Sequence, residues 1–135
     1  MFRLATAIAA VALAATGARA SEGPGVGPAV ILFGARWCAP CRGELGHLDA
    51  LAAAAHPAVV TLAWIDGEPP LAELPDGVRV VPGAVAERMF QSLAPDAAGL
   101  PQAVLVSRTG AVCARYPGPI DAARLQSLMR GCGWR

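Results

Sequence analysis

The stretch ARWCAPCRGELG, residues 35–46, holds two cysteines that are separated by an Ala-Pro pair and preceded by a tryptophan. The apolar run AVILF, residues 29–33, comes just before it and is typical of a strand covered on both faces. From Cys38 as far as Ala55, apolar residues recur at helical spacing. The pattern therefore predicts that Cys38 opens a helix that follows a buried strand.

That position favours redox chemistry at the two cysteines. The free N–H groups and the dipole of a helix start stabilise an anion, so the pKa of a thiol there falls from about 8.5 toward roughly 3.5 to 7.5. Cys38 is thus the candidate nucleophile. Cys41 follows one turn later on the same side, where its thiol can attack a mixed disulfide formed at Cys38. Pro40 suits the first helical turn, where a missing N–H costs little.

Other uses of a C-x-x-C pair fit this sequence less well. A structural zinc site usually needs four ligands, but Cys113 and Cys132 do not form a second close pair, and the two histidines lack zinc-finger spacing. Covalent haem requires a histidine directly after the second cysteine, where Arg42 stands. We therefore expect no metal ion and no cofactor. An inert structural disulfide remains the alternative to a redox pair.

Strands and helices alternate along the rest of the chain. The apolar patterns predict strands at 58–65, 78–81, 102–107 and 111–116, and helices at 84–93 and 119–129. This order predicts an α/β fold with a mixed central sheet flanked by helices. Residues 21–135 are enough for one such domain and too few for two.

Residues 1–20 have the pattern of a cleaved signal peptide. They combine Arg3, an apolar run and the small-residue ending Ala18-Arg19-Ala20. The apolar run is shorter than the roughly 20 residues that cross a bilayer, so an uncleaved anchor is the less favoured alternative. We expect a periplasmic or otherwise exported protein with no stable membrane insertion after cleavage. The formal net charge of +1 does not indicate nucleic acid as a partner.

Two separated segments resemble one protein family. ILFGARWCAPCRGELGHL, residues 31–48, is similar to the pattern F-x-x-x-W-C-x-P-C-R-x-E of thioredoxin-fold proteins, in particular the exported TlpA/ResA-like thiol-disulfide oxidoreductases. GLPQAVLVSRTGAVCARYPG, residues 99–118, is similar to that family's second motif, which begins with a cis-proline. The resemblance covers residues 29–130 and implies a thioredoxin-like domain at 21–135 with the C-x-x-C pair at the start of its first helix.

The resemblance implies roles for individual residues. Cys38 would be the attacking thiol, Cys41 the resolving thiol, Glu44 an acid that influences their titration, and Pro101 the cis-proline beside them. Pro82 is the alternative cis-proline, but a helix rather than a strand follows it in the sequence.

We expect Trp37, Pro40 and Leu100 to lie on the surface that binds the partner. The partners would be protein thiols and disulfides, together with an upstream electron donor or acceptor in the membrane. The Ala-Pro pair between the cysteines resembles the reducing members of the family, which indicates a reductant, with cytochrome c maturation as a candidate pathway. A non-catalytic accessory module and a small metal-carrying protein remain the alternatives.

Three features depart from the family pattern. Gly46 stands where a helix-bending proline is usual, so the first helix is expected to be straighter or shorter. Ser107 replaces an aspartate after the strand at 102–107. Relatives carry a further N-terminal strand or hairpin, which leaves one sheet edge of this chain unassigned.

Cys113 and Cys132 lie outside the family motifs. One is predicted in a strand and the other just after the final helix, which is expected to fold back over the sheet. We expect a structural disulfide between them, which would contribute roughly 3 kcal/mol by restricting the unfolded chain. Two separate thiols are the alternative.

Overall fold

The computed structural model describes residues 27–134, so the predicted signal peptide lies outside the described residues. Within these residues, five strands and four helices follow one another, and all five strands come where the apolar pattern predicts them. The strands are β1 (Ala29–Gly34), β2 (Val59–Trp64), β3 (Val78–Pro82), β4 (Gln102–Val106) and β5 (Val112–Pro117). The helices are α1 (Ala39–Glu44), α2 (Leu48–Ala55), α3 (Gly83–Leu93) and α4 (Ala122–Gly131).

The strands form one mixed sheet in the order β3-β2-β1-β4-β5. The pairs β1–β2 and β2–β3 are parallel, whereas β4 pairs antiparallel with both β1 and β5. The predicted α/β fold with a mixed central sheet is therefore confirmed. The short strand β3, which the sequence predicted at 78–81, lies at the edge of the sheet next to β2. The sequence analysis had left one sheet edge unassigned.

Side chains alternate between the two faces of the sheet and build two core layers. Val30 and Leu32 of β1 belong to the larger layer, together with Leu48 and Leu51 of α2 and Leu125 of α4. Alternate strand residues point to opposite faces, so the intervening residues of β1 belong to the second layer. That layer includes Ile31, Phe33, Ala63, Ala86 of α3 and Val104. Full burial of such side chains stabilises the fold by about 1.5 to 3 kcal/mol each.

The first helix differs from the predicted continuous helix over residues 38–55. It ends at Glu44, and a 3-10 turn, Leu45–His47, separates it from α2. Gly46 lies in the middle of that turn, where the absence of a side chain lowers helix propensity. His47 has φ −112° and ψ 7°, outside the helical region. The helix is thus broken at the position where the sequence departs from the family pattern.

The last helix begins and ends with recognisable caps. The Asp121 carboxylate accepts the N–H of Arg124 at 2.7 Å, so α4 begins after Asp121 and later than the predicted start at residue 119. At the other end, Gly133 has φ +73° and the N–H of Trp134 donates to the carbonyl of Met129 at 2.9 Å. This pattern is a Schellman cap, and it turns Trp134 back onto the core.

Candidate active site

The C-x-x-C pair lies where β1 ends and α1 begins. Cys38 is the N-cap of α1, with extended backbone, and a disulfide joins it to Cys41 across a Cα–Cα distance of 5.2 Å. The backbone N–H of Cys41 donates to the Cys38 sulfur at 3.2 Å. The same donor is in place to stabilise a thiolate at Cys38 when the disulfide opens, as expected of a cysteine at a helix start. In the disulfide form, the two residues are 4% and 1% exposed.

A tight turn presents the tryptophan that precedes the pair. The N–H of Cys38 donates to the carbonyl of Ala35 at 3.1 Å, which closes a turn with Arg36 and Trp37 at its centre. Trp37 is 68% exposed, although it directly precedes a buried cysteine. The turn therefore places a large apolar side chain in solvent beside the disulfide.

Side chains from two other elements hold this turn. Both carboxylate oxygens of Asp66 accept the backbone N–H of Arg36, at 2.9 and 3.0 Å. In return, Nη2 of Arg36 donates to the carbonyl of Asp66 at 2.9 Å. Arg42 of α1 donates from Nη1 to the carbonyl of Arg36, also at 2.9 Å. Both backbone polar groups of Arg36 are thus bonded to side chains that the sequence analysis did not single out.

Glu44 lies at the end of α1, one turn beyond Cys41, and is only 7% exposed. Burial raises the pKa of its carboxyl from 4.5 to about 7, and the hydrogen bond from the backbone N–H of Ile120 opposes part of that rise. This bond spans 2.9 Å and joins residues 76 positions apart. A carboxyl with such a pKa accepts and releases a proton near neutrality. The sequence had suggested Glu44 as an acid near the cysteines, but it gave no sign of the contact with Ile120.

A tryptophan packs behind the pair because Gly34 has no side chain. A Cβ added at Gly34 would lie 2.5 Å from Cζ3 of Trp64 and 3.2 Å from Cβ of Cys41. Trp64 is fully buried, as its predicted place in a strand core implies. Its Nε1 is buried without a hydrogen-bond partner in the described part of the chain. Gly34 was not identified from the sequence, where the only signal was a glycine at the end of an apolar strand.

The segment before β4 lies at the same end of the sheet as the disulfide. The Leu100–Pro101 peptide bond is cis, and the carbonyl of Pro101 accepts the N–H of Gly118 at 2.9 Å. Gln102 pairs with Phe33, near the carboxyl end of β1, so the cis bond lies next to the β1–α1 junction. Leu100 is half-buried between the two core layers. Pro82, the alternative position, is the N-cap of α3.

The remaining expected binding residue, Pro40, is exposed in the first turn of α1. The site therefore brings Cys38, Cys41, Glu44 and Pro40 together on one short helix. Trp37 precedes them, and Leu100 and Pro101 approach from β4.

Cys113 and Cys132 are joined by a second disulfide, with a Cα–Cα distance of 5.5 Å. It links β5 to the C-cap of α4. Cys113 lies near the start of β5, which runs from the far end of the sheet toward the β1–α1 junction. The second disulfide is therefore remote from the first.

Open cavities lie at that far end too. One of about 410 Å³ is lined by Ala29 and Val59, where β1 and β2 begin, and by Arg79 and Arg108. Neither Cys38 nor Cys41 lines this cavity. Between residues 27 and 134, no group of three His, Cys, Asp or Glu side chains is arranged to hold a metal ion. In the same range, no helix has the length and apolarity to cross a bilayer.

The arrangement matches that of solved structures. The N-terminal domain of PilB from Neisseria meningitidis, in its reduced form, superposes with a TM-score of 0.60 and 24% identity, over 78% of this chain and 81% of that one. The chain has the thioredoxin fold. A thiol:disulfide interchange protein from Chlorobium tepidum superposes with a TM-score of 0.57 and 18% identity, over 78% and 79% of the two chains.

A third similar structure is the exposed lipoprotein thioredoxin Etrx1 from Streptococcus pneumoniae. It gives a TM-score of 0.53 and 15% identity, over 77% of this chain and 84% of that one. No protein-family model and no curated protein matches the chain. Two of these three similar structures are thus named as a thioredoxin and a thiol:disulfide interchange protein.

Proposed function

We propose that the protein is an exported thiol-disulfide oxidoreductase that exchanges the Cys38/Cys41 pair with thiols and disulfides of other proteins. The observation that carries the proposal is the Cys38–Cys41 disulfide itself, capped by a backbone N–H and followed one turn later by a buried carboxyl. The N–H donor, both sulfurs and the acid lie within seven consecutive residues, 38–44, which are α1 and its N-cap.

The exchange proceeds in two balanced steps. The Cys38 thiolate attacks one sulfur of a partner disulfide, a mixed disulfide forms, and the other partner sulfur leaves as a thiolate. Cys41, once deprotonated, attacks the Cys38 sulfur, and the second partner sulfur leaves as a thiolate. Two electrons pass from the dithiol to the partner. The two protons end on the partner thiolates, and the Cys38–Cys41 disulfide remains.

Glu44 supplies the base for the second step. Cys41 is almost fully buried, so its thiol depends on a neighbouring acceptor to lose a proton. Glu44 follows Cys41 at helical spacing, and burial raises the pKa of its carboxyl to about 7. A base with a pKa near the working pH is well matched to proton transfer.

The partner binds across the rim formed by Trp37, Pro40, Leu100 and Pro101. The exposed indole of Trp37 offers apolar contact on one side of the disulfide. On the other side, the backbone before Pro101 pairs with an extended segment of the partner. We propose that Cys113 and Cys132 form a structural disulfide that keeps α4 on the sheet.

The proposal also includes the direction of electron transfer and the localisation of the protein. The Ala-Pro pair favours a reductant, which serves cytochrome c maturation and receives electrons from a membrane donor. Export follows from the leader at residues 1–20 and agrees with the exported lipoprotein among the structural neighbours. Residues 21–135 then form the mature thioredoxin-like domain.

One observation favours a second candidate function. Cys38 is only 4% exposed, which suits an accessory module that uses the fold without turnover. Reduction of insulin disulfides by the purified protein, with dithiothreitol as electron source, separates the two candidates. We expect turbidity from released insulin chains with the wild type and none above background with Cys38→Ser. Equal rates for both proteins would refute the enzyme.

A further inference from the structure

We infer that the surface beside Cys38 selects partners whose reacting cysteine is flanked by acidic residues. The inference rests on the proposed exchange function and names the class of partner that the same site takes. Two arginines, Arg36 and Arg42, carry it, because the structure fixes both next to the exposed Trp37.

The guanidinium of Arg36 is held beside Trp37, and some of its N–H donors remain free. Its Nη2 donates to the carbonyl of Asp66, and its Nε lies 3.8 Å from Oδ2 of the same residue. The side chain remains 66% exposed, and its Nη1 has no hydrogen-bond partner within residues 27–134. The guanidinium is therefore oriented by the protein while one face stays open to a ligand.

Arg42 is anchored in the same way from the opposite side of the turn. Its Nη1 donates to the carbonyl of Arg36 at 2.9 Å, and the residue is exposed. Its Nε and Nη2 find no partner in the described part of the chain. A fixed guanidinium loses less freedom when it binds a carboxylate, and its planar fork matches carboxylate geometry.

Three carboxyls near this turn accept hydrogen bonds from backbone N–H groups. Asp66 directs both carboxylate oxygens at the N–H of Arg36, and Glu44 is buried and bonded to Ile120. Asp121, next to Ile120, accepts the N–H of Arg124 at the start of α4. Within residues 27–134, Arg36 lies within 4 Å of a carboxylate, that of Asp66, and Arg42 of none, so both guanidiniums keep N–H donors for a carboxylate of the partner.

The physical effect is on encounter with the partner. Complementary charge beside a reacting group raises association rates by about 10 to 1000-fold at low ionic strength. The effect fades with salt, because the Debye length falls from about 30 Å at 0.01 M to about 3 Å at 1 M. An acidic partner segment should therefore associate faster than a basic one in dilute buffer, and the two rates should become similar in concentrated salt.

The test uses three cyclic peptides, each with one disulfide, whose residues on both sides of the cysteine are Glu, Gln or Lys. The second-order rate of their reduction by the reduced protein is followed by the change in tryptophan fluorescence. We expect the Glu peptide to react at least tenfold faster than the Lys peptide at about 0.01 M ionic strength, and nearly equally at about 1 M. Each rate is divided by the rate with dithiothreitol at about 1 M ionic strength, where the charge of the dithiothreitol thiolate is screened and only the peptide's own reactivity remains.

Variants locate the effect. Arg36→Gln and Arg42→Gln should each lower the Glu-to-Lys rate ratio about threefold or more, whereas Arg108→Gln removes the same charge at the far end of the sheet and should leave it unchanged. Arg36→Lys and Arg42→Lys keep the charge and should keep most of the ratio. A ratio lost equally in the lysine variants, or in Arg108→Gln, would overturn the assignment.

A neutral probe separates this inference from the proposed function. Hydroxyethyl disulfide carries no charge, so its rate with each variant gives the activity that remains without any charge preference, and the wild type and Arg108→Gln should reduce it at similar rates. A wild type that reduces neither this probe nor any peptide refutes the exchange function. A wild type that reduces the probe, but shows no preference among the three peptides at low salt, refutes only the acidic partner.

Discussion

The two disulfides of this chain lie at different ends of one sheet and differ in their surroundings. Cys38–Cys41 spans three positions at a helix start, where a backbone N–H contacts one sulfur and a buried acid follows. Cys113–Cys132 spans nineteen positions and joins a strand to a helix end. Solvent exposure alone would make Cys113–Cys132 the reactive disulfide and Cys38–Cys41 the structural one, because Cys113 is an exposed residue and the first pair is buried. The groups that stabilise a thiolate, rather than solvent access, distinguish the proposed redox pair.

The largest difference between the two disulfides should appear on substitution. We expect Cys38→Ser to abolish insulin reduction, because no thiol remains at the helix start, and Cys113→Ser to leave most of it. Cys41→Ser should retain an attacking thiol with nothing to resolve the adduct, so mixed disulfides with partners accumulate on a non-reducing gel. Trapping of partners through Cys41 in Cys38→Ser, at the same yield, would reverse the role assignment.

The order in which the disulfides open sharpens the comparison. Mild dithiothreitol should reduce Cys38–Cys41 while Cys113–Cys132 stays closed, as followed by alkylation and peptide mapping. Removal of the second disulfide with Cys113→Ser plus Cys132→Ser should lower the free energy of unfolding by about 3 kcal/mol, because the loop it closes is then free in the unfolded chain. Urea unfolding measures this loss. A double variant as stable as the wild type would leave the second disulfide without a structural role.

The comparison also shows what the sequence could reveal. The Cys38–Cys41 pair and the alternation of strands and helices follow from local spacing, and so does the position of Cys38 at a helix start. The pairing of Cys113 with Cys132 depended instead on the expected return of the last helix over the sheet. The helix break at Gly46 was only half predictable, since a glycine lowers helix propensity without fixing where the 3-10 turn forms. A second cis bond, His56–Pro57, carried no local signal that separated it from other proline bonds.

The sequence could not predict contacts between residues that are far apart in the chain. Asp66 and Arg36 are 30 positions apart, and Glu44 and Ile120 are 76 apart. Neither pair leaves a periodic pattern in the sequence, because each depends on which loops the sheet order brings to one end. A carboxylate directly after a buried strand, as at Asp66, was the one available hint.

Gly34 offers a test of how the redox pair is packed. In Gly34→Ala, the new methyl group would clash with the Trp64 ring and press on Cys41. We expect a loss of up to about 3 kcal/mol in the free energy of unfolding, and altered tryptophan fluorescence in both redox states. Gly43→Ala is the matched control, because a Cβ there meets no atom within 4 Å. Equal stability of the two variants would show that the Trp64 ring has room to move.

The smallest expected effect is on the pH dependence of stability and comes from the buried Glu44. This effect is specific to the end of the sheet that carries Cys38–Cys41. Burial raises the pKa of Glu44 in the folded protein to about 7, above its unfolded value of 4.5, so the folded state binds more protons between these values. Stability from this carboxyl is therefore present below pH 4.5 and is lost as the pH rises through 7.

Glu44→Gln stays neutral and keeps an oxygen for the N–H of Ile120, so its stability should not decline over that window. We expect the difference between wild type and variant to grow by on the order of 2 kcal/mol from pH 5 to pH 8. Glu87→Gln, at an exposed position on α3, is the control and should follow the wild-type curve. Parallel curves for the wild type and Glu44→Gln would mean that the pKa of Glu44 is not raised in the folded protein, so that its carboxylate is a weaker base for the proton of Cys41 than proposed.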